Sequence, residues 1–404
     1  MPTLSTGVFR SVVIANETTL GTPGAGPGQL LRRVQSDMNL DVQPLVSPEI
    51  ITSQQVRDMR MGPRRVRGSH TGVLSPGTYT TFFDNLLRGT WTAGVTKSSV
   101  TDSVATVDAD GNLVLTSATA AWLTAGFKRG DIARVTGASG GGTVINNVNA
   151  RVVSVTATVL TLAIVTPGIT APTWSSGQTI TVSVVGKKLF VPTSGHVKRS
   201  FTMEHWFSDI GVAQIFTGNR VQQISLNFPA AGFVQMQTST LGLNQEESAS
   251  RTYSTPTAAT GSNGLTTVQG RIAYKGASLA YVTGANIQIA ANLQADPVVG
   301  SVFPADIFQG TISVRGSLTC FMADDDMTAD FLAENEVDIA LTATTSPAGN
   351  ADFVSAYMGR VKLMAPAISD GDMGITRTYG FQAIEVLSGA SYDMSSIVIQ
   401  DSLA

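Results

Sequence analysis

The chain has 404 residues, of which 14% are charged and 43% hydrophobic, with 40 glycines and one cysteine. Ordinary soluble domains carry about 25% charged residues, so we expect partners to cover part of this surface. No apolar run approaches the roughly 18 residues of a membrane span, and the N-terminus lacks a signal-peptide pattern. One cysteine cannot form an internal disulfide. The length of the chain predicts two or three domains. The single cysteine and the missing signal pattern predict a protein made in a reducing cytoplasm.

The net charge of -3 is the sum of unequal parts. Residues 1–97 carry a formal +4, residues 98–300 carry +3 and residues 301–404 carry -10. Either the charges cluster by chance on solvated faces, or the basic and acidic parts form complementary contact surfaces. The acidic overall balance argues against a tight nucleic-acid binder.

In chain order, the first predicted element is an extended N-terminal arm, residues 1–28. The glycines and prolines from 21 to 28 exclude a regular strand or helix there. Alternating polar and apolar residues at 39–42 then predict a half-buried strand. Ser75 and Pro76 predict the N-cap and first residue of a helix that stops at Gly89.

Two later segments differ in composition from the rest. Residues 98–188 contain short β-branched runs between glycine-rich turns, which predicts an inserted, surface-mounted all-β domain. Within it, Asp108–Asn112 is predicted to be a hairpin turn rather than a calcium loop, because no glutamate follows at the required place. Residues 242–268 are rich in small polar residues and predict a linker or long loop.

The chain also contains an internal repeat, in which the pattern at 58–71 recurs in constant register at 306–319. The first copy of the signature, Asp58, Gly62, Val66, Arg67, Gly68, Ser69 and Thr71, recurs as Asp306, Gly310, Val314, Arg315, Gly316, Ser317 and Thr319. A second match pairs 199–204 with 377–382 at a shorter separation, so the first copy should hold about 70 additional residues. We therefore predict a mainly β protein with two tandem folds, residues 29–97 with 189–241, and residues 269–404. Each fold has one helix on a largely antiparallel sheet.

The residues that commonly carry chemistry give no site. His70, His196 and His205 lie in strand-like runs without metal-ligand spacing, so structural roles are predicted. Cys320 is predicted to be a small buried residue rather than a nucleophile. The segment 137–142 lacks the ending of a phosphate-binding loop, and the tripeptide 129–131, Arg-Gly-Asp, suits a turn. We predict no enzyme activity, cofactor or metal.

Two charged clusters are candidates for contacts between subunits. One is acidic, Asp324, Asp325 and Asp326, and is either a cation site or, as we favour, the cap of a short helix. The other is basic, Arg57, Arg60, Arg64, Arg65 and Arg67. In a strand, Arg65 and Arg67 lie on one face and Arg64 lies on the opposite face. A nucleic-acid groove would need interleaved aromatic residues, which are missing here, so pairing with acidic groups of a neighbouring subunit is favoured.

Several of these segments together resemble the tail tube proteins of long-tailed, siphovirus-like bacteriophages. The similarity rests on the ordered set of motifs Glu17–Thr22, Ser53–Gly89, Phe201–Glu204 and Phe216–Val221. It covers roughly residues 10–95 and 189–404, but not the predicted insertion.

The resemblance implies a β-sandwich-like fold whose subunits join sheets around a ring, with rings stacked into a hollow tube through which DNA leaves the capsid. The repeat suggests the duplicated variant of this family, in which three chains complete a pseudo-sixfold ring, with six chains per ring as the alternative. The resemblance also implies a tape measure protein, a tail terminator and a distal tail protein as partners. It implies assembly in the host cytoplasm and DNA that passes without specific binding.

Two other functions stay open at this point. A secreted or surface adhesin or carbohydrate-binding protein would suit the Ser/Thr/Gly-rich strands, but it needs an export signal. A hydrolase would need convergent acid–base groups, and none stands out.

Overall fold

A computed structural model of the chain describes residues 4–138, 146–369, 374–387 and 389–404. Within these ranges the protein is mainly β, with 26 strands and three short α-helices. The strands form a closed six-stranded barrel and a larger body of antiparallel sheets. Within the same ranges no helix is long and apolar enough to span a membrane.

The elements follow the chain in three groups. The first belongs to the body and contains a 3₁₀ turn Gly7–Phe9, β1 Arg10–Asn16, β2 Gln29–Leu30, β3 Gln35–Val46, β4 Met59–Val73, α1 Thr80–Leu87 and β5 Thr92–Ala93. The second forms the barrel and contains β6 Thr96–Val107, β7 Leu113–Thr116, α2 Trp122–Ala125, β8 Ile132–Thr136, β9 Asn149–Val155, β10 Val159–Ile164 and β11 Trp174–Val184.

The third group returns to the body. Its first strands are β12 Lys187–Phe190, β13 Phe201–Phe207, β14 Val212–Pro229, β15 Gln235–Gly242, β16 Asn244–Ser248, β17 Thr266–Tyr274, β18 Ala277–Ser278 and β19 Val282–Ala290. Its last elements are β20 Leu293–Gln294, β21 Phe308–Gln309, β22 Ser313–Phe321, α3 Asp326–Leu332, β23 Val337–Thr344, β24 Phe353–Ile368, β25 Thr376–Ala383 and β26 Val398–Asp401.

Two long strands organise the body, because each pairs with different neighbours along its length. In β14, residues 212–219 pair with β13, whereas residues 220–227 pair with β15. In β24, residues 353–361 pair with β23, whereas residues 361–368 pair with β25. Each long strand therefore passes from one sheet into a second sheet, and each pair of sheets encloses part of the core.

The body contains one sheet of eight antiparallel strands, which we call the long sheet. Its order is β3-β4-β15-β14-β19-β22-β25-β24. The first outer sheet is β2-β1-β13-β14-β16. The second outer sheet is β18-β17-β23-β24-β26-β12-β5.

One face of the long sheet is buried against the helices and outer sheets. Val66, Ile224 and Ile287 on this face join the same apolar cluster as Phe82 and Leu86 of α1. The hydrophobic effect contributes about 1.5–3 kcal/mol for each such fully buried side chain. The core therefore fixes which face of every long-sheet strand points inward.

The barrel has a separate core, in which Trp122 meets Phe127 edge to face. It comprises residues 96–184, close to the predicted insertion at 98–188. Asp108 accepts hydrogen bonds from the main-chain N–H groups of Asp110 and Asn112 and thereby closes the β6–β7 turn. Residues 139–142 of the glycine-rich run lie outside the described residues.

The structure corrects the prediction of an extended arm at residues 1–28. Residues 10–16 form β1, which pairs with β13 and β2. Val12 and Ile14 are buried in the main core, and Val13 is buried in a small cluster with Tyr253. The following turn is held by the Glu17 carboxylate, which accepts hydrogen bonds at 2.7 Å from both the Ser200 hydroxyl and the Gly218 N–H. The predicted linker at 242–268 likewise contains β16, together with the start of β17.

Two details of the first helix also differ from the prediction. The helix begins at Thr80 rather than Pro76, because residues 75–78 form a turn in which the Ser75 and Thr78 hydroxyls lie 2.7 Å apart. Its last residue is Leu87, and the left-handed C-cap residue is Arg88, with a φ of 56°, rather than Gly89. A residue with left-handed backbone commonly ends a helix; it is usually glycine, and here it is an arginine.

The second sequence match, which pairs 199–204 with 377–382, is wrong. The first of these segments leads into β13 of the first outer sheet, whereas the second lies in β25 of the long sheet. By strand order β13 corresponds to β23, and β25 corresponds to β15. The chain from α1 to β13 spans 88–200, whereas the chain from α3 to β23 spans only 333–336, so the first copy holds more additional chain than the match implied. Alternating strands resemble one another in sequence whichever sheet they join, which explains the error.

Candidate assembly surfaces

The long sheet has an open face opposite its buried face, and this face is polar. Alternation along each strand places the residues between the core positions on it. One row of paired residues crosses all eight strands and consists of Gln35, Thr71, Gln237, Ser225, Gln288, Arg315, Gln382 and Lys362. None is buried. The residues of this row offer hydrogen-bonding groups but no aromatic ring on which bases could stack.

The charges on the open face are largely paired within the chain. Arg65 Nε and Arg67 Nε lie 2.8 and 3.4 Å from Asp41 Oδ2, so both arginines share one face of β4. Arg315 Nε donates to Gln382 at 2.8 Å. The Asp41 carboxylate offsets part of the charge of Arg65 and Arg67, whereas the neutral Gln382 only orients Arg315 along the sheet.

The β3–β4 hairpin projects beyond the sheet and carries exposed charged and apolar residues at its tip. Arg57 is bonded to Glu49 at 2.8 Å, and Arg60 to Asp58 at 3.0 Å. Both pairs are exposed, so each contributes about 1 kcal/mol at most to stability. The exposed apolar side chains of this hairpin are Leu45, Val46, Ile50, Val56, Met59 and Met61. Arg64 lies at the base of the hairpin, where its main-chain N–H donates to the carbonyl of Val302.

The three consecutive aspartates stand at the start of α3 and are exposed. Asp324 Oδ1 accepts from the N–H of Asp326 at 3.3 Å, and Asp325 is the N-cap residue without a side-chain bond. Over the residues that the structure describes, no group of three or more His, Cys, Asp or Glu side chains is arranged to hold a metal ion.

The repeat signature occupies equivalent places in β4 and β22. Val66 and Val314 are both fully buried. A Cβ on Gly68 would lie 2.3 Å from the carbonyl oxygen of Asp37, and one on Gly316 would lie 2.3 Å from that of Asn286. Both glycines are therefore required by the close approach of the neighbouring strand. Ser69 and Ser317 lie on the open face.

The two halves of the long sheet meet at β14 and β19, which we call the internal junction. Seven antiparallel residue pairs join them, from Gln223–Ala290 to Pro229–Gly284. Arg220 Nη1 lies 2.9 Å from Asp306 Oδ1 and also donates to the carbonyl of Ile307. The ends of the sheet, β3 and the last part of β24, have no such neighbour among the described strands.

Two of the three histidines, His70 and His205, are buried and have structural roles. His70 Nε2 lies 3.2 Å from the Arg32 carbonyl, and His205 Nε2 lies 3.0 Å from the Ser36 hydroxyl. Burial lowers the pKa of His70 to about 4 and that of His205 to about 3, so both rings are neutral at pH 7. His196 is exposed in a loop and not in the predicted strand. Cys320 is buried, and burial raises the pKa of its thiol.

The barrel is attached to the second outer sheet by buried polar groups that the sequence did not reveal. Lys188 Nζ lies between Asp131 of the barrel, at 3.1 Å, and Asp393, at 2.8 Å. The Gln400 side chain accepts from the N–H of Ile132 and donates to its carbonyl. Spacing gave no signal for these contacts, since their partners lie up to 268 residues apart.

The Arg-Gly-Asp tripeptide belongs to this attachment and is not displayed to solvent. Arg129 lies over the ring of Tyr392, Gly130 lies against the ring of Tyr357, and Asp131 is the buried partner of Lys188. These contacts occupy the groups that an adhesion receptor would have to bind.

A profile of the family described as "Phage tail tube protein" matches residues 10–383 of this chain. The chain belongs to the phage tail tube protein family. The match spans nearly the whole sequence, including the barrel, and the mainly β fold agrees with it. A search of curated proteins found no match.

Membership assigns the tail tube protein a structural role in the virion tail, where it assembles with copies of itself into a tube. It implies a non-enzymatic function, and the adhesin alternative is not favoured. The polar open face, the exposed hairpin tip and the sheet edges that lack a partner among the described strands are exposed in the single chain.

Proposed function

We propose that this tail tube protein forms rings of three chains, each chain supplying two tube folds, and that the rings stack into the conduit for DNA. The observation that carries the proposal is the long sheet. Its two halves, β3-β4-β15-β14 and β19-β22-β25-β24, have the same strand order and are already joined edge to edge. A single chain therefore contains one junction between two tube folds.

The register of the strands supports the duplication in detail. Equivalent residues follow from the pairings around Gly68 and Gly316, and include Met38 with Ile287, Thr240 with Phe381 and Val221 with Leu363. The pairing irregularity after Phe201 recurs after Val337, and that after Val221 recurs after Leu363. Shared bulges are a detailed sign of common descent because they interrupt the ladder at defined places.

Ring size follows from the number of folds. A closed ring of six tube folds needs three chains of this kind, which would contribute three copies of an eight-stranded sheet. Closure also removes the sheet edges that would otherwise invite aggregation. Six chains per ring would double the number of folds and is the alternative.

The open face of the long sheet is the surface that would line the tube. It is rich in uncharged polar side chains, and Arg65 and Arg67 are neutralised in part by Asp41. DNA binding grows with the number of phosphates neutralised by free Lys or Arg. A lumen with few free cations lets DNA pass without specific binding.

The barrel would decorate the outside of the tube. Its contacts, including Ile132 with Gln400 and Arg151 with the Gly276 carbonyl, are made with the second outer sheet and its turns. This surface lies on the far side of the core from the open face. The β3–β4 hairpin, the N-terminal residues and the segment 240–264 are candidates for contacts with the next ring.

The acidic second half offers charge complementarity to these basic elements, with Asp324, Asp325 and Asp326 facing the solvent. By analogy with the family, the assembled tube would contact a tape measure protein, a tail terminator and a distal tail protein. Assembly would take place in the host cytoplasm.

Electron microscopy of the purified chain, combined with native mass spectrometry of isolated rings, tests the proposal. We expect hollow tubes or stacked rings with a mass of three chains per ring. Six chains per ring would contradict the three-chain ring, and discrete monomers at high protein concentration would contradict the tube.

A further inference from the structure

We propose that neighbouring chains in a ring join by pairing the last part of β24 of one chain with β3 of the next, in the register of the internal junction. This inference rests on the proposed function and specifies the residues that meet. It treats the internal junction as a template, because both of its strands have equivalents at the two free edges of the long sheet.

The equivalences fix the register. The strand β14 corresponds to β24, with Ile224 equivalent to Pro366, and β3 corresponds to β19, with Met38 equivalent to Ile287. Applied to the internal pairs Ile224–Ile289, Ser225–Gln288 and Leu226–Ile287, these equivalences predict three pairs between chains. They are Pro366 with Leu40, Ala367 with Asn39, and Ile368 with Met38.

Exposure of the apolar residues supports this pairing. In the internal junction Leu226, Ile289 and Ile307 are fully buried. Their equivalents at the free edges are Ile368, Leu40 and Met59, which are 59%, 37% and 65% exposed in the single chain. The neighbouring fold covers the apolar side chains at the internal junction. We expect the equivalent exposed side chains at the free edges to be covered by the next chain in the same way.

A charge pair supports it independently. Arg220 and Asp306 form an ion pair across the internal junction at 2.9 Å. The equivalent residues are Lys362 and Asp58, again a base on β24 and an acid before β4. In the single chain their ion pairs are local and exposed, Lys362 with Glu334 at 3.8 Å and Asp58 with Arg60 at 3.0 Å. Ring closure would bring Lys362 to Asp58 of the next chain.

One main-chain hydrogen bond would differ between the two kinds of junction. The N–H of Ala291 donates to the Gln222 carbonyl, so Ile224, two residues further along β14, also directs its N–H at β19. Its equivalent Pro366 has no N–H, and the junction between chains has one donor fewer. A proline on a free edge also limits indiscriminate pairing before the ring closes.

Cysteine cross-linking tests the register directly. Ala367 and Asn39 correspond to a non-hydrogen-bonded pair, whose Cα atoms lie about 4.5 Å apart, within disulfide range. Within one chain these residues are separated by seven strand spacings of about 4.8 Å, so no disulfide can form inside the chain. Cys320 is buried and provides no competing thiol.

The test uses the double variant A367C/N39C, oxidised after assembly and separated on a denaturing gel without reductant. The expected result is a ladder that ends at three chains. The matched control A367C/Q35C uses the same face but places the second cysteine about 13 Å away along β3, so it should not cross-link. Wild-type protein controls for Cys320.

The outcomes separate this inference from the proposed function. Wild-type tubes together with an A367C/N39C variant that assembles without cross-linking would overturn the register and leave the tube intact. A ladder that ends at six chains would support the register and refute the three-chain ring. Failure of the wild-type chain to form tubes would overturn both.

Charge exchange provides a second measurement that does not depend on oxidation. K362D and D58K should each reduce the polymerised fraction in a sedimentation assay at least tenfold, and the combination should restore most of it. Equal loss in the single and double variants, with every variant folded by circular dichroism, would overturn the pairing of these two residues.

Discussion

Replacing Lys188 with methionine tests how the barrel is held on the body. Lys188 Nζ lies 3.1 Å from Asp131 Oδ1 and 2.8 Å from Asp393 Oδ2, and all three side chains are at most 10% exposed. Methionine keeps most of the side-chain volume but removes the cation. Two carboxylates are then left close together in a buried position.

The expected loss is large at high pH. Removing one member of a buried ion pair costs about 3–5 kcal/mol, because the remaining charge is desolvated without its partner. Burial already raises the pKa of Asp131 to about 6, and loss of Lys188 should raise it further. A carboxyl whose pKa is higher folded than unfolded destabilises the fold above its folded pKa, and this penalty disappears as the pH falls towards the unfolded value. The loss in K188M should therefore be smaller at pH 5 than at pH 8.

Urea unfolding at both pH values, followed by tryptophan fluorescence, measures this effect. Trp122 and Trp174 lie in the barrel core and report on its unfolding. The control is K187M, because Lys187 is the exposed neighbour of Lys188. A loss in K188M below about 1 kcal/mol at pH 8, the range of an exposed pair, or an equal loss at both pH values, would refute the reasoning.

Three further predictions concern the assembly surfaces and the core. Reversal of Arg57, Arg60 and Arg64 to glutamate should weaken polymerisation without unfolding the subunit; normal tubes in the microscope would contradict this. Deletion of residues 98–187 should leave tubes but lower thermal stability, since the second outer sheet loses its cover; loss of tubes would show that the barrel is needed for assembly. His70 is neutral when buried, with a pKa of about 4 against 6.5 unfolded, so acidification through this window should cost about 3 kcal/mol. H70F should reduce that pH dependence in urea unfolding, leaving the part that His205 contributes, and an unchanged slope would contradict the assignment.

The amino-acid sequence was sufficient to predict the β class, and it displays the signature repeat and the change in composition near residue 97, where the barrel begins. These features are local, because strand alternation, glycine punctuation and composition are visible within short windows. The signature reflects a local requirement too, since Gly68 and Gly316 each face a strand too close for a side chain.

Tertiary structure decided which strands meet. The strand at 10–16 lies in a segment that predicted only an extended arm, and its burial depends on β13, which follows far along the chain, after the barrel. The match of 199–204 with 377–382 was misleading because strands of the outer and long sheets share the same period-two pattern, which carries no information about their partners. The sequence also carried no sign that β3 and the last part of β24 are sheet edges, because an edge is defined by a missing partner strand and not by its own residues. The pairing of β14 with β19 identifies the kind of partner strand that these two edges lack.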